Sequence, residues 1–281
     1  MLPFCMLVLP AVGGSAALSS LHLSACRATP GCRPSASGAM RLTCDRCSRP
    51  LSVCVCRALP AEPIDTATQV LVLQHPAEAK RRISSVPLMP LCVRNVEVVC
   101  GTNFSLPSLP RLQTAIADGR APLLLFPGPG AVVLPLLRGP LLDGGGAADH
   151  GRSAGLHRTA SGEGPLLVLV DGTWAQARHM LRHSPEVSSA CRHIMFATEV
   201  RSHFEALRRE PAAHCMCTLE AAAYAFRALG RTPDAGLAAD YLEASLRELV
   251  SMQLRHAPPA QPRPSSAKRR AAQRSFAPPP P

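Results

Sequence analysis

The chain has 281 residues, 30 Lys and Arg against 19 Asp and Glu, a formal charge of +11, and 47% hydrophobic but only 17% charged residues. That length and apolar content suffice for one or two domains with a real core, and they exclude an acidic solvating tail, a collagen and a wholly disordered chain. The 29 Pro and 19 Gly predict sizeable unstructured pieces as well.

The basic excess sits at the ends. Residues 1–43 contain Arg27, Arg33 and Arg41 and no acid, and residues 252–281 contain Arg255, Arg263, Lys268, Arg269, Arg270 and Arg274 and no acid. These nine cations leave about +2 for residues 44–251. Only Lys80 and Lys268 are lysines, so the Arg content is weak support for nucleic-acid binding.

In chain order, residues 1–41 open with the apolar run MLPFCMLVLPAV, too short for a membrane span and without the basic flank of a signal peptide. The absence of acids suits an organellar transit peptide, and a disordered leader is the plainer expectation. Met40 offers an alternative start. Residues 42–60 form a small unit around Cys44, Cys47, Cys54 and Cys56. Twelve cysteines raise the question of a disulfide framework, but four cluster within 13 residues while Cys92, Cys100 and Cys191 sit singly in apolar stretches, as small buried hydrophobes do. A reducing compartment with one metal cluster is the expectation. Four thiolates complete a tetrahedral zinc shell, which would be structural because no position remains for water. Arg46, Arg49 and Arg57 beside the cluster are either RNA-phosphate contacts or solvated charges.

From residue 61 the pattern alternates. Segments 68–73, 96–100, 122–126 and 165–170 are continuous aliphatic runs expected to be buried strands of a parallel sheet. Segments 173–183, 219–229 and 237–254 read as helices, the last with Leu242, Leu246, Leu249, Val250 and Leu254 on one stripe. The fold class is therefore α/β, a mostly parallel sheet with flanking helices. Residues 138–164, with eight glycines, are expected to be a flexible insertion, and 256–281 a basic, Pro-rich disordered tail. Within that tail KRRAAQR suits nuclear import, phosphate contact or mere solubility.

One motif carries chemistry of its own: V-L-V-D-G-T-W-A-Q-A-R at 168–178. An aliphatic strand delivers Asp171, Gly172 allows a tight turn, and a helix follows; the chain's one tryptophan, Trp174, is at the same place. Asp here is either an ordinary helix cap or a group at the carboxyl end of a strand, where α/β sheets bind ligands.

Five ordered blocks resemble the DTW-domain family of tRNA-uridine aminocarboxypropyltransferases. They are the cysteine cluster, L-Q-H-P-A-E at 73–78 with Arg82, Ser84, Ser85 and V-P-L at 86–88, L-F-P-G-P-G-A at 125–131, Asp171-Gly172-Thr173-Trp174, and R-R-E-P…C-T-L-E-A ending at Cys217–Ala221. The resemblance covers about residues 42–255 without the insertion. Cys217 stands where the family usually has Ser, and Phe126 where Tyr is frequent.

The resemblance implies a SPOUT-like knotted fold for a catalytic domain over 61–255, binding S-adenosylmethionine (SAM). The cofactor loops would be Phe126-Pro127-Gly128, Asp171-Gly172-Thr173-Trp174 and Cys217-Thr218-Leu219-Glu220. The implied reaction moves the 3-amino-3-carboxypropyl group to N3 of a tRNA uridine, with Asp171 as general base or as an anchor for SAM's ammonium. Arg82 or Arg178 would hold SAM's carboxylate or a tRNA phosphate. Arg178 and Arg182, with His179 and His183, would form a basic helix face for tRNA or a solvated one, and His75 would touch the uridine or cap the strand end. Two other readings stay open: a SAM-dependent RNA methyltransferase, and a non-enzymatic zinc and RNA-binding module. The expected partner is tRNA with no membrane, the oligomeric state is open between monomer and homodimer, and residence in nucleus or cytoplasm is expected unless residues 1–43 direct the chain to an organelle.

Overall fold

A computed structural model describes residues 42–256 except 82, 121, 129, 135–163, 197–215 and 231. The leader, the tail beyond His256, most of the expected insertion and Arg82 therefore lie outside the described residues.

Among the described residues six strands form one sheet: β1 (Gln69–Gln74), β2 (Val96–Cys100), β3 (Leu123–Leu125), β4 (Val132–Leu134), β5 (Leu166–Asp171) and β6 (Arg192–Phe196). Their order is β2-β1-β5-β3-β6-β4, and every pairing is parallel. All of β5 and all but the first residue of β1 are buried, as central parallel strands covered on both faces must be. Strand β2 is an edge with alternating exposure, so Cys100 is exposed rather than a buried small hydrophobe; Cys92 and Cys191 are buried as expected. Strands β4 and β6 are additions to the four aliphatic runs. The first is the short apolar stretch Val132–Leu134 just after the Phe126–Gly128 loop, and the second opens with Arg192 and His193, which break the continuous apolar run that marks the others.

The helices are α1 (Pro76–Ala79), α2 (Met89–Cys92), α3 (Pro110–Ala117), α4 (Trp174–Arg182), α5 (Pro185–Ala190), α6 (Thr218–Leu229) and α7 (Pro233–His256). Four of them, α1, α3, α5 and α7, begin with Pro, whose missing N–H costs nothing at a first helical position. Every residue of α6 but Ala228 is buried, between the sheet and α7. On α7, Leu242, Leu246, Leu249 and Val250 make the expected buried stripe, while Leu254 near its end is exposed. Arg227 of α6 is buried and neutralised by Asp240 and Glu243 of α7. At the corner between these helices a Cβ on Gly230 would overlap that of Ala235 and come within 2.6 Å of the Phe226 carbonyl oxygen, so only glycine fits. No helix among the described residues is long and apolar enough to cross a membrane.

Residues 42–60 fold onto this body. Thr43 bridges Pro50 antiparallel, and Ser48 adopts a φ of 54° so that its N–H reaches the Cys44 carbonyl at 2.8 Å. Val55 and Leu59 enter the common core. Arg57 pairs with Glu248 of α7 at 2.6 Å, and Ser52 O contacts His256 at 3.1 Å.

Candidate functional site

Two sets of side chains stand out, one at the cysteine turn and one at the carboxyl ends of β1, β3 and β5.

In the first, the sulfurs of Cys44, Cys47, Cys54 and Cys56 all lie within 4.8 Å of one another, with Cys44–Cys56 at 3.5 Å and Cys47–Cys54 at 3.7 Å. A tetrahedral zinc–thiolate shell needs sulfurs about 3.8 Å apart, so the four can hold a metal ion with little movement. Burial tends to raise Cys44, yet the backbone N–H groups of Cys47 and Arg46 and the neighbouring thiols bring it down to about 7. Burial and the Cys44 and Cys47 thiols push Cys54 up to about 11, and burial with its three neighbours pushes Cys56 higher still. Four thiols sharing so small a volume compete to keep their protons, a competition a divalent cation would end.

The arginines beside the cluster are occupied. Arg49 is buried and donates to Ser84 O at 2.8 Å, Arg46 donates to the carbonyls of Pro60 and Ala61, and Arg57 pairs with Glu248. Arg49 and Arg57 tie the cysteine segment to the domain, while Arg46 and Arg57 remain exposed.

The second set is built from strand ends. Parallel pairing places Gln74, the last residue of β1, opposite Asp171, the last of β5. Gln74 Nε2 donates to Asp171 Oδ2 at 2.9 Å, and Thr218 Oγ1, at the start of α6, donates to Oδ1 at 2.7 Å. Burial pushes the Asp171 carboxyl above its ordinary value; Thr218, Gln74 and the charge of Arg81 pull in the other direction. Arg81 is itself held through Nε by Glu78 at 2.8 Å.

The rest of the Asp171 turn is shaped by helix capping. Thr173 is the N-cap of α4: its hydroxyl accepts from Gln176 N at 3.3 Å while Gln176 Oε1 accepts from Thr173 N at 2.6 Å. Cys217 repeats the arrangement on α6, its sulfur accepting from Glu220 N at 3.4 Å and Glu220 Oε2 accepting from Cys217 N at 2.8 Å. The thiol thus preserves the contact a serine hydroxyl would make. Burial and the Glu220 carboxylate push that thiol well above its ordinary value, so it is an inert cap. Glu220 and Leu219 are both buried.

Trp174, the first residue of α4, stacks on Phe126 with ring centroids 4.9 Å apart and planes inclined by 15°. Arg178 lies over the Trp174 ring at 5.7 Å, a cation–π distance. Phe126 leads into Pro127 and Gly128, and a Cβ on Gly128 would come within 2.8 Å of His193 Nδ1. Arg178, His179 and Arg182 of α4 and His183 at its C-cap are exposed together, with the two imidazoles 4.0 Å apart. His75 caps α1, its Nδ1 accepting from Ala77 N at 3.1 Å, and its backbone N–H donates to Asp171 O at 2.8 Å. Burial and the charge of His179 hold its imidazole below the ordinary value.

The three segments singled out in the sequence therefore meet. The stack of Phe126 on Trp174 joins the first to the second, and the Thr218–Asp171 bond joins the second to the third. Gln74, from the L-Q-H-P-A-E block, completes the arrangement with Arg81 and His193, which lie outside the five blocks. Gln74 is legible as the one polar residue closing an apolar strand, whereas His193 lies in a strand the hydrophobic pattern does not reveal.

These features define an α/β protein with interacting side chains gathered at the carboxyl ends of parallel strands, the place where such sheets bind ligands, and a separate four-cysteine cluster. Residues 41–254 match the DTW domain, and the chain belongs to the DTW-domain family. It is 30% identical over 223 residues to tRNA-uridine aminocarboxypropyltransferase 2 of Macaca fascicularis, covering 77% of this chain and 65% of that protein. Its match to the protein of the same name from Mus musculus is also 30%, over 220 residues and the same shares. To tRNA-uridine aminocarboxypropyltransferase A of Arabidopsis thaliana it is 29% identical over 252 residues, covering 82% of this chain and 88% of the relative. The chain thus spans just under two thirds of the macaque and mouse relatives. No solved structure matches it at a significant level.

Proposed function

We propose that this chain transfers the 3-amino-3-carboxypropyl group of SAM to N3 of a tRNA uridine, forming acp3U and releasing 5′-methylthioadenosine. The observation that carries the reading is the meeting of the Phe126, Asp171 and Thr218 segments at the carboxyl end of the sheet. The names of the relatives support the reaction class.

SAM would supply a sulfonium with three electrophilic carbons, and the carbon that reacts is the one held in line with the nucleophile. The residues Phe126–Gly128, Asp171–Trp174 and Cys217–Glu220 would hold it. As the uridine N3–C bond forms and the C–S bond breaks, the N3 proton must leave. Asp171 is well made for an acceptor, since burial already raises its proton affinity and each oxygen has accepted only one bond from Gln74 or Thr218. The same spare lone pairs suit SAM's ammonium. Arg81, held by Glu78 through Nε and close enough for its charge to act on Asp171, would offer its guanidinium to a carboxylate or phosphate there. The exposed Arg178, His179, Arg182 and His183 would take tRNA phosphates. Zinc is the proposed ion for the four cysteines, in a purely structural role. A knotted chain path is also proposed; strand β3 lies between the later strands β5 and β6, and the links β4–β5 and β6–α6 run largely outside the described residues.

Incubation of the full chain with SAM and unmodified tRNA, followed by nucleoside mass spectrometry, tests the reading. The expected product is acp3U. A methylated uridine would replace it with methyl transfer, and tRNA binding without any product would replace it with a binding module.

A further inference from the structure

We propose that His193, fixed by Ser188, is the positioning residue that sets the Phe126–Gly128 loop and, through it, the Trp174 ring, and so governs how tightly the sulfonium donor is held. The last clause rests on the function proposed above. Strand β6 pairs with β3 so that His193 lies opposite Leu124, two residues before the loop begins. His193 Nδ1 is 3.3 Å from Phe126 O, and Nε2 is 3.1 Å from Ser188 Oγ.

A carbonyl oxygen only accepts, so Nδ1 must carry the proton. In the neutral ring Nε2 is then an acceptor, and the Ser188 hydroxyl donates to it. The Phe126 carbonyl therefore selects the tautomer, and the Ser188 hydroxyl holds the far side of the ring by donating to Nε2. The same imidazole lies against the loop backbone: a Cβ on Gly128 would be 2.8 Å from Nδ1 and 3.4 Å from Cε1. The glycine lets the chain rest on the ring. Phe126 is pinned further by its N–H, which donates to the carbonyls of Leu124 and Ile194, and its side chain then stacks on Trp174. A shift of the imidazole is thus passed through one residue to the tryptophan at the start of α4.

Three substitutions separate positioning from space filling. His193→Asn puts an amide N–H where Nδ1–H sits, His193→Gln puts one where Nε2 sits, and His193→Ala supplies none. Trp174 is the chain's one tryptophan, so its emission reads the loop with no substrate present. The Asn variant is expected to keep the wild-type spectrum and a donor KM within about twofold, while Ala and Gln move the emission and raise KM about three- to tenfold, the worth of one hydrogen bond, with kcat changing less. Ser188→Ala, which leaves the ring in place, should shift the emission less and in the same direction. Identical behaviour of all three variants at 193, whether unchanged or with a common loss of melting temperature, overturns the proposal, because the ring would then only fill space. The emission needs no turnover. A chain inert towards SAM that still separates Asn from Gln and Ala refutes the transfer reaction and supports the role of His193.

Discussion

Thr218 donates its hydroxyl to Asp171 Oδ1 at 2.7 Å across 47 positions of sequence, while Gln74 reaches the other oxygen at 2.9 Å from 97 positions away. One buried carboxylate thereby holds together the ends of β1 and β5 and the start of α6. Its burial raises its hold on a proton, while its two donors and the charge of Arg81 pull the other way.

Replacing Thr218 with Val should destabilise the fold by about 1–3 kcal/mol, because an acceptor is left buried without its donor. It should also raise the Asp171 carboxyl further. The native value of Asp171 already lies above that of the unfolded chain, so its contribution to stability is complete below the ordinary carboxylate range and is lost as pH rises through the raised native value. Denaturant melts of wild type and Asp171→Asn across acidic to neutral pH should show the wild type's relative stability falling with pH. A flat difference would mean that Asp171 titrates no differently in the two states.

Phe126→Ala should cost about 3–5 kcal/mol, the usual loss for a buried Phe. Part of that loss is the Trp174 stack, so tryptophan emission must change along with chemical stability. Phe126→Tyr keeps the ring and should leave both nearly as they are. An unaltered Trp174 spectrum in the Ala variant would contradict the stacking.

Removal of the metal is the third test. The full chain should carry close to one zinc per molecule, released by a thiol reagent and measured with a colorimetric chelator. Cys47→Ser should release it too and lower the melting temperature, because Val55 and Leu59 dock the cysteine segment onto the core. A chain with no bound metal and an unchanged melt after Cys47→Ser would remove the centre.

The exposed α4 face predicts the fourth. Changing Arg178 and Arg182 together to Ala should weaken tRNA binding and reduce the salt slope by about 2, since each guanidinium would neutralise one phosphate. Arg57→Ala should leave both unchanged, since that guanidinium belongs to Glu248. The guanidinium is 58% exposed, so solvent screens the pair and it is worth about 1 kcal/mol. Filter binding at several salt concentrations checks both.

The sequence by itself determined what is local. Four aliphatic runs predicted strands to within one residue at either end; for β1, β3 and β5 burial on both faces demands continuous apolar residues whatever the neighbours, while the edge strand β2 keeps only its Val-rich character. The helices after Asp171 and Cys217 were legible because a cap and its third residue lie on one short stretch. The cysteine cluster was legible because its loop is too short to part its thiols. Tertiary structure alone decided what depends on partners distant in sequence. A parallel strand chooses its neighbour through a long crossover that leaves no periodic mark, so the adjacency of Gln74 and Asp171, and the placing of β4 and β6 at one edge of the sheet, could not be read along the chain. Charge behaves likewise: an arginine's letter does not tell whether a carbonyl or a carboxylate awaits it. Arg49 was thus buried against a carbonyl and Arg57 paired with a carboxylate, while Arg178 and Arg182 were left facing solvent.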